Sequence, residues 1–363
     1  MDPLYNIGKL GKVELKNRYL VAPMTRVSAE TDGQANERME KYYERYAEGG
    51  FGAIITEGIY LDKSYSQGYH NQPGITDVKQ MEAWKPIVET VHQHGTKMIA
   101  QLMHAGSQAQ GNRFTDETVA PSSIRPKGEQ LPFYGGSGPY KEPKEITVNE
   151  IADVKKAFAN AAILSKEAGF DGIEIHGANG YLLDQFLTDY LNHRQDQYGG
   201  SLENRLQFSL EIIEAVREAV GEDFMVGIRI SQGKVADQEH KWPNGEKDAY
   251  TIFSMLGKTT LDYIHVTDGD GAAPSFGVGT KTMAKAAKDF SGLPVIANGG
   301  LGEPDKARKL INQGEADYIS LGTSALANPD APNRISNHMP LKEFNAKEIL
   351  MPQAQIKDIE LKE

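Results

Sequence analysis

Cysteine is absent from all 363 residues of the chain. Its absence excludes disulfide bonds, thiolate nucleophiles, cysteine-bound structural zinc and cysteine-ligated iron–sulfur clusters. Any redox chemistry in this protein must therefore use a bound organic cofactor or a metal site without thiolate ligands.

Long apolar runs and an excess of positive charge are also lacking. No stretch approaches the length of a transmembrane helix, and the first residues show no basic segment followed by an apolar one. Lys and Arg number 39 against 50 Asp and Glu, and the formal charge of −11 disfavours binding to phosphate backbones or anionic lipid. We therefore expect a cytoplasmic protein that has neither nucleic acid nor a membrane as its partner.

The overall composition of the chain is that of an ordinary globular protein. Hydrophobic residues make up 39% and charged residues 25% of the sequence, which is enough material for one large core. Length alone would allow two domains, but a single barrel of β/α units with insertions falls in the same range.

Short apolar segments alternate with helical patterns along the chain. The predicted strands cover residues 18–23, 53–56, 97–100, 173–175, 225–228, 262–266, 293–297 and 316–321. A small hairpin is predicted over residues 9–17, before the first of them. This alternation predicts an α/β fold, a single (β/α)8 TIM barrel in one domain over residues 1–363. An open doubly wound sheet accounts less well for regularly spaced units.

Two regions depart from the alternation. Residues 109–148 are rich in Gly, Pro and Ser and too long for an ordinary connection, and alternation resumes beyond them. We interpret them as an excursion inserted after the third strand, which predicts a lid or capping region. Asn149 is expected to cap the helix that follows. Residues 331–363 are predicted to form a C-terminal tail.

Polar or small residues follow nearly every predicted strand. In a barrel of this kind the active site lies at the carboxyl ends of the strands, so these residues should face one mouth. Each has an ordinary structural explanation when taken singly, but a ring of them favours a site. The residues are Thr25, Gly58, Gln101, His104, His176, Asn179, Tyr181, Arg229, Gly299, Gly300, Gly322 and Thr323.

His176, Asn179 and Tyr181 are predicted to share one turn after the fourth strand. An imidazole and a carboxamide three residues apart can donate hydrogen bonds to one oxygen, and a nearby tyrosine can carry a proton to a neighbouring atom. This set suits the polarisation of a carbonyl and the protonation of a carbon. Taken alone, the same spacing also occurs by chance.

The glycines after the last two strands predict a phosphorylated ligand. Gly299, Gly300 and Gly322 would let backbone N–H groups approach a phosphate, which barrels often bind at this corner. Other motifs fail, because Thr280 stands where a Walker loop needs glycine and no H-E-x-x-H is present. No metal site is predicted.

Four segments of the chain resemble the Old Yellow Enzyme family of FMN-dependent ene-reductases, which are NADH:flavin oxidoreductases. They are APMTR at residues 22–26, HGANGY at 176–181, QYGGSLENR at 197–205 and ALANPD at 325–330. The resemblance extends from about Tyr5 to about Asp330. It implies a tightly bound, non-covalent FMN and NADH or NADPH as reductant.

The resemblance also implies roles for individual residues. Thr25 would bond the flavin C4 carbonyl, Gln101 the pyrimidine part, and Arg229 would lie near N1 and O2. Backbone at the last glycines would hold the phosphate. The full implied cofactor set is Pro23, Met24, Thr25, Gly58, Gln101, Arg229, Asn298, Gly299, Gly300, Gly322 and Thr323.

The implied reaction is the reduction of an activated C=C bond by ping-pong hydride transfer through flavin N5. His176 and Asn179 would bind the oxygen of an α,β-unsaturated carbonyl or nitro compound, and Tyr181 would protonate Cα after hydride reaches Cβ. Two alternatives stay open: a flavin-binding quinone or xenobiotic reductase or sensor, and a phosphate-binding lyase or isomerase with Glu57 as its base. A homodimer or larger homo-oligomer is an open alternative to a monomer.

The sequence also departs from the family pattern. Thr323 stands where many relatives have arginine, so the phosphate charge must be met in another way. Met103 stands where some relatives have tryptophan, which would widen the substrate pocket. The tail matches poorly, so no substrate contact can be transferred to it.

Overall fold

A closed cylinder of parallel strands forms the centre of the chain in the computed structural model, which describes residues 2–362. The strands are β1 (Gly8–Leu10), β2 (Val13–Leu15), β3 (Tyr19–Val21), β4 (Ala53–Ile55), β5 (Ile59–Tyr60), β6 (Lys97–Met103), β7 (Val119–Ala120), β8 (Lys144–Glu145), β9 (Gly172–Asn179), β10 (Met225–Lys234), β11 (Tyr263–Thr267), β12 (Val295–Asn298) and β13 (Tyr318–Leu321).

The cylinder runs in the order β3, β4, β6, β9, β10, β11, β12 and β13, and β13 pairs with β3 to close it. All of these pairings are parallel. Parallel neighbours need crossover connections, which are usually helices. The predicted (β/α)8 barrel is confirmed. One short strand that the sequence did not predict, β5, adds to the edge of β6.

Helices occupy the gaps between the barrel strands, and shorter helices follow β13. They are α1 (Glu37–Glu48), α2 (Val78–Gln93), α3 (Val148–Glu167), α4 (Leu182–Leu187), α5 (Leu202–Val220), α6 (Glu246–Leu256), α7 (Met283–Ser291), α8 (Pro304–Asn312), α9 (Thr323–Ala327), α10 (Ala331–Ser336) and α11 (Ala346–Ile349). The side chains of Asn36, Asp77 and Ser201 cap α1, α2 and α5 by accepting a backbone N–H bond three residues on.

The cap of α3 differs from the prediction. Thr147, and not Asn149, begins this helix, because its hydroxyl accepts from the Glu150 N–H at 3.2 Å while the Glu150 carboxylate accepts from the Thr147 N–H at 2.9 Å. This reciprocal pair satisfies two helix-end donors at once, which a single asparagine cannot do.

The strand that carries the candidate catalytic residues is longer than predicted. β9 continues through His176 to Asn179, because β10 continues beside it and pairs as far as Lys234. His176 and Asn179 therefore lie on a strand, not on a turn. Tyr181 precedes α4, a short buried helix.

The barrel interior has an apolar end and a polar end. Its apolar layer includes Leu20, Ile55, Ile99 and Ile296, and Leu10 and Leu15 of the predicted hairpin pack into the same cluster. The hairpin, formed by β1 and β2, therefore closes one end of the cylinder. Polar side chains collect at the other end, where the strands finish.

The insertion and the tail both return to the polar end. Within residues 109–148, β7 and β8 pair in parallel, and Pro132–Tyr134 forms a 3₁₀ turn. The tail bonds to this turn, because Ala354 N–H donates to the Phe133 carbonyl at 2.8 Å. Within residues 2–362, no helix is both long and apolar enough to cross a membrane.

Candidate active site

A cavity of about 440 Å³ opens at the carboxyl ends of the barrel strands. The predicted residues come together around it: Pro23, Met24, Thr25, Gly58, Gln101, His176, Asn179, Tyr181, Arg229, Asn298, Gly299, Gly300, Gly322 and Thr323. His104 does not line the cavity. It is buried, and its Nδ1 accepts from the Gly106 N–H at 3.1 Å.

His176 presents an N–H group to the cavity. Its Nδ1 accepts a hydrogen bond from the Ala178 N–H at 3.3 Å, so the ring proton lies on Nε2. Burial, with the neighbouring charge of Arg229, lowers the pKa of His176 to about 3. The imidazole is therefore neutral at physiological pH and acts as a hydrogen-bond donor through Nε2.

Asn179 ends β9 in the left-handed conformation, with φ of 61°, which asparagine tolerates better than most residues. Its backbone is held on both sides, since its N–H donates to Ser231 Oγ at 2.8 Å and its carbonyl accepts from Gln108 Nε2 at 3.0 Å. Its carboxamide makes no hydrogen bond to another residue within the described chain. The amide is therefore available to a ligand in the cavity.

Gly180, between Asn179 and Tyr181, is fixed by a buried framework. Its N–H donates to Asp184 Oδ2 at 2.6 Å, and its carbonyl accepts from Gln185 Nε2 at 2.7 Å. Lys234 Nζ bonds both oxygens of Asp184 at 2.9 and 3.0 Å, and both side chains of this ion pair are buried. The framework sets the direction of the residues on either side of Gly180.

Tyr181 carries its phenol at the cavity wall, next to a second phenol. The hydroxyls of Tyr181 and Tyr69 lie 2.6 Å apart, and the Tyr181 ring meets the His176 ring edge-on at 4.9 Å. Burial raises the pKa of Tyr181 to about 12, although the bond from Tyr69 opposes this. Tyr181 therefore keeps its proton at neutral pH.

The phosphate corner depends on backbone that only glycine adopts readily. Gly299 has φ of 122°, and a Cβ there would lie 2.0 Å from the Asp268 carbonyl. At Gly322 a Cβ would have only Met24 Sδ within 4 Å, so the space beside it is open. Gly299 is thus required for the close backbone packing of this corner, and the open space beside Gly322 leaves room for an anion close to the backbone.

Thr323 is neutral, so a phosphate at this cavity needs other donors. Among the described residues that line it, none is lysine and the arginines are Arg26 and Arg229. Arg26 is paired with Glu360 at 2.6 Å, and Arg229 donates one of its N–H groups to Asn298. Backbone N–H groups and the hydroxyls of Thr323 and Ser324 are further donors for a phosphate.

The cavity floor fits a flat cofactor with donors and acceptors along one edge. Arg229 Nε is buried and has no hydrogen-bond partner in the part of the chain that the structure describes. Gln101 donates Nε2 to Glu174 at 2.8 Å, which leaves its carbonyl oxygen as an acceptor. Met24 and Gly58 add apolar surface. These groups suit the FMN that the sequence resemblance implies.

Sequence reasoning missed part of the cavity wall. Tyr69 follows β5, and Val235 follows β10, so neither stands at a predicted strand end. Other lining residues come from the insertion and the tail, where no periodic pattern marks an inward side. They are Leu131, Phe133, Tyr134, Phe344 and Leu350.

Glu57, the base required by a lyase or isomerase, faces away from the cavity. Its carboxylate accepts from the backbone N–H groups of Arg26 and Val27, both at 3.0 Å, and it is buried. This geometry supports the loop that carries Thr25, and it gives no support to a role as a catalytic base.

Comparisons with known proteins identify the family of this chain. The NADH:flavin oxidoreductase / NADH oxidase family matches residues 3–342. An NADH oxidase of Thermoanaerobacter brockii is 35% identical over 340 residues, or 91% of this chain, which spans 50% of that protein's length. A probable flavin mononucleotide-dependent alkene reductase of Leishmania infantum is 35% identical over 344 residues, 92% of this chain and 90% of that protein. The solved structure of the Old Yellow Enzyme homologue from Zymomonas mobilis has a TM-score of 0.85 at 31% identity and covers 94% of both chains.

The fold and the cavity thus define a barrel oxidoreductase that works with a flavin. The chain belongs to the NADH:flavin oxidoreductase / NADH oxidase family, within the group of Old Yellow Enzyme. Its cofactor is FMN, and its reductant is NADH or NADPH. The resemblance and the cofactors predicted from the sequence are confirmed.

Proposed function

We propose that this protein reduces the activated C=C bond of α,β-unsaturated carbonyl or nitro compounds, with NADH or NADPH as the electron source. The nucleotide would reduce FMN and leave before the oxidant enters, because both need the same cavity, so kinetics would be ping-pong. The observation that carries the proposal is the grouping of His176, Asn179 and Tyr181 on one cavity wall.

His176 and Asn179 would bind the substrate oxygen. Neutral His176 donates from Nε2, and the Asn179 carboxamide has no protein partner among the described residues. Negative charge grows on that oxygen as hydride adds to Cβ, and fixed donors stabilise charge most where it develops. The left-handed backbone of Asn179 and the hydrogen bonds of its N–H and carbonyl groups keep this donor in place before substrate arrives.

Tyr181 would supply the proton for Cα. Its phenol is protonated at neutral pH because burial raises its pKa to about 12. Tyr69 lies 2.6 Å from it and can either donate to the phenolate left behind or hold the ring in position. A general acid of this kind contributes roughly 10²- to 10⁴-fold to a rate.

The cofactor would be held by the residues that the sequence predicted. Bound FMN, once reduced, supplies the hydride that adds to Cβ. Arg229 Nε and the Gln101 carbonyl would meet the polar edge of its ring, and Thr25 would bond the C4 carbonyl. Backbone at Gly299, Gly300, Gly322 and Thr323 would hold the phosphate.

Isotope labelling tests the assignment. Purified holoenzyme is incubated anaerobically in D₂O with reduced nicotinamide nucleotide and 2-cyclohexenone, and the product is analysed by mass spectrometry and NMR. We expect cyclohexanone with solvent deuterium at Cα and unlabelled hydrogen from the nucleotide at Cβ.

Two other outcomes would contradict the proposal. An allylic alcohol would mean reduction of the carbonyl rather than of the C=C bond. Oxidation of the nucleotide by a quinone, without turnover of any enone or nitroalkene, would favour the quinone-reductase alternative.

A further inference from the structure

A buried polar network lies behind the cavity, between the candidate site and the apolar end of the barrel. Its centre is Glu174, which is fully buried and does not line the cavity. Its carboxylate accepts hydrogen bonds from Gln101 Nε2 at 2.8 Å, from His265 Nδ1 at 2.9 Å and from the Tyr263 hydroxyl at 3.1 Å. The reaction proposed above makes no use of this group.

Strand register builds the network. One row of register partners runs across β6, β9, β10 and β11, and it consists of Gln101, Glu174, Gly227 and Tyr263. All four positions therefore face the barrel interior at one level. A Cβ at Gly227 would lie 2.1 Å from the Tyr263 ring. The missing side chain on β10 therefore gives Tyr263 the space to reach across to Glu174.

The next row of the barrel brings a positive charge close to Glu174. His176, Arg229 and His265 are successive partners across β9, β10 and β11. Burial would raise the pKa of Glu174, but the hydrogen bonds from His265 and Gln101 and the charge of Arg229 together bring it below its ordinary value. The carboxylate is therefore charged and partly balances Arg229.

His265 links the carboxylate to the cavity wall. Burial lowers the pKa of His265, so its ring is neutral, donates to Glu174 from Nδ1 and accepts from Ser320 Oγ at Nε2, 2.8 Å away. Serine, histidine and glutamate in this order also form the catalytic triads of some hydrolases. Here Glu174 also accepts from Gln101 and Tyr263, so it does not serve His265 alone as the acid of such a triad does.

We propose that Glu174 is a positioning residue of the FMN site with two effects. It fixes the Gln101 carboxamide so that its carbonyl faces the flavin, and its negative charge offsets that of Arg229 and lowers the reduction potential of FMN. Reduction adds negative charge to the flavin, and a buried carboxylate opposes this more strongly than an exposed one. The inference rests on the flavin contacts proposed for Gln101 and Arg229.

Glu174→Gln tests the effect of the charge. Glutamine keeps the shape of the side chain and an oxygen that accepts from Gln101. His265 can carry its proton on Nε2 instead of Nδ1, so that Nδ1 accepts a hydrogen bond from the new amide. Equilibration of holoenzyme with a reference dye should show the equilibrium constant for FMN reduction rising by about tenfold or more, which is about 30 mV for a two-electron couple. Tyr263→Phe, the matched control, removes one hydrogen bond but no charge and should change the constant by less than about threefold.

Glu174→Asp tests the positioning effect, and it also decides the matter if Glu174→Gln does not fold. Aspartate keeps the charge but is too short to hold Gln101, so release of fluorescent FMN from diluted holoenzyme should show a dissociation constant raised by about tenfold. The inference would be overturned if Glu174→Gln had the same FMN reduction potential as the wild type. It would also be overturned if Glu174→Asp had the same FMN dissociation constant as the wild type. A wild-type protein that binds FMN but reduces no enone would overturn the proposed function and leave these two measurements valid.

Discussion

Burial fixes the protonation state of the candidate donors at the cavity wall. It lowers the pKa of His176 to about 3, with help from the charge of Arg229, and raises that of Tyr181 to about 12. Both groups are thus neutral hydrogen-bond donors over the whole physiological pH range. An exposed histidine at the same position would titrate near its ordinary value of 6.5 and change the charge of the site.

The pH profile of the oxidative half-reaction follows from these pKa values. Since His176 gains a proton only below about 3 and Tyr181 loses one only above about 12, the rate with an enone should change less than about threefold between about pH 5.5 and about pH 9.5. Anaerobic stopped-flow of prereduced enzyme measures it. A step centred near the ordinary histidine value would contradict the neutral-donor assignment.

Glu57 has an unusual protonation behaviour of its own. Burial raises its pKa to about 7, although N–H bonds from Arg26 and Val27 oppose this. Because the folded-state pKa is raised, its contribution to stability is complete below the unfolded value near 4.5 and is lost as pH rises through about 7.

Glu57→Gln should remove this pH dependence. The amide oxygen can accept both N–H bonds at every pH. Between about pH 5 and about pH 8, the free energy of unfolding of the wild type should therefore fall by on the order of 1–3 kcal/mol relative to that of the variant. Urea unfolding of both holoenzymes at the two pH values measures it. An equal stability difference at both values would show that the folded-state pKa is not raised.

At the scale of elements, the extended β9–β10 pair and α4 together present the candidate catalytic residues. The pair continues to Asn179 and Lys234, and α4 follows at once with Asp184 and Gln185 bonded back to Gly180. The sequence predicted the strand only to residue 175, because a glycine-rich segment after it resembles a loop. Its continuation depends on β10, a partner distant in sequence.

The buried ion pair behind this segment should be costly to break. Lys234→Met would leave the Asp184 carboxylate buried without its cation, and we expect a loss of about 3–5 kcal/mol in the free energy of unfolding. The double variant Asp184→Asn with Lys234→Met keeps an acceptor for the Gly180 N–H and should recover most of that loss. Urea unfolding of the wild type and both variants measures it. A double variant as unstable as the single one would contradict this role of the pair.

The tail is a second element that the sequence could not place. Arg26, on the loop after β3, donates to both oxygens of Glu360 at 2.6 and 2.7 Å and to the Ala354 carbonyl at 3.0 Å. Phe344 and Leu350 of the same tail line the cavity. No local pattern marks the contact between Arg26 and Glu360, since it joins residues more than 300 positions apart.

At the scale of the whole molecule, the sequence predicted the barrel well because its signal is repeated in every unit. Apolar strands, helices and polar strand ends alternate throughout, and the glycines after β12 and β13 mark a corner of the mouth. Part of the cavity wall is built from the insertion and the tail, whose positions are set by long-range contacts. Oligomeric state and cytoplasmic location stay predictions.

The central claim is that Tyr181 protonates Cα while FMN is reduced without its help. Anaerobic stopped-flow of the separate half-reactions in Tyr181→Phe tests it most directly, with Tyr69→Phe as the control that keeps the Tyr181 proton. We predict that flavin reduction by the nucleotide stays within about twofold of wild type, while reoxidation by an enone slows by roughly 10²- to 10⁴-fold in Tyr181→Phe and by less than about tenfold in Tyr69→Phe. Equal slowing of both half-reactions, or none in the reoxidation, would contradict the account.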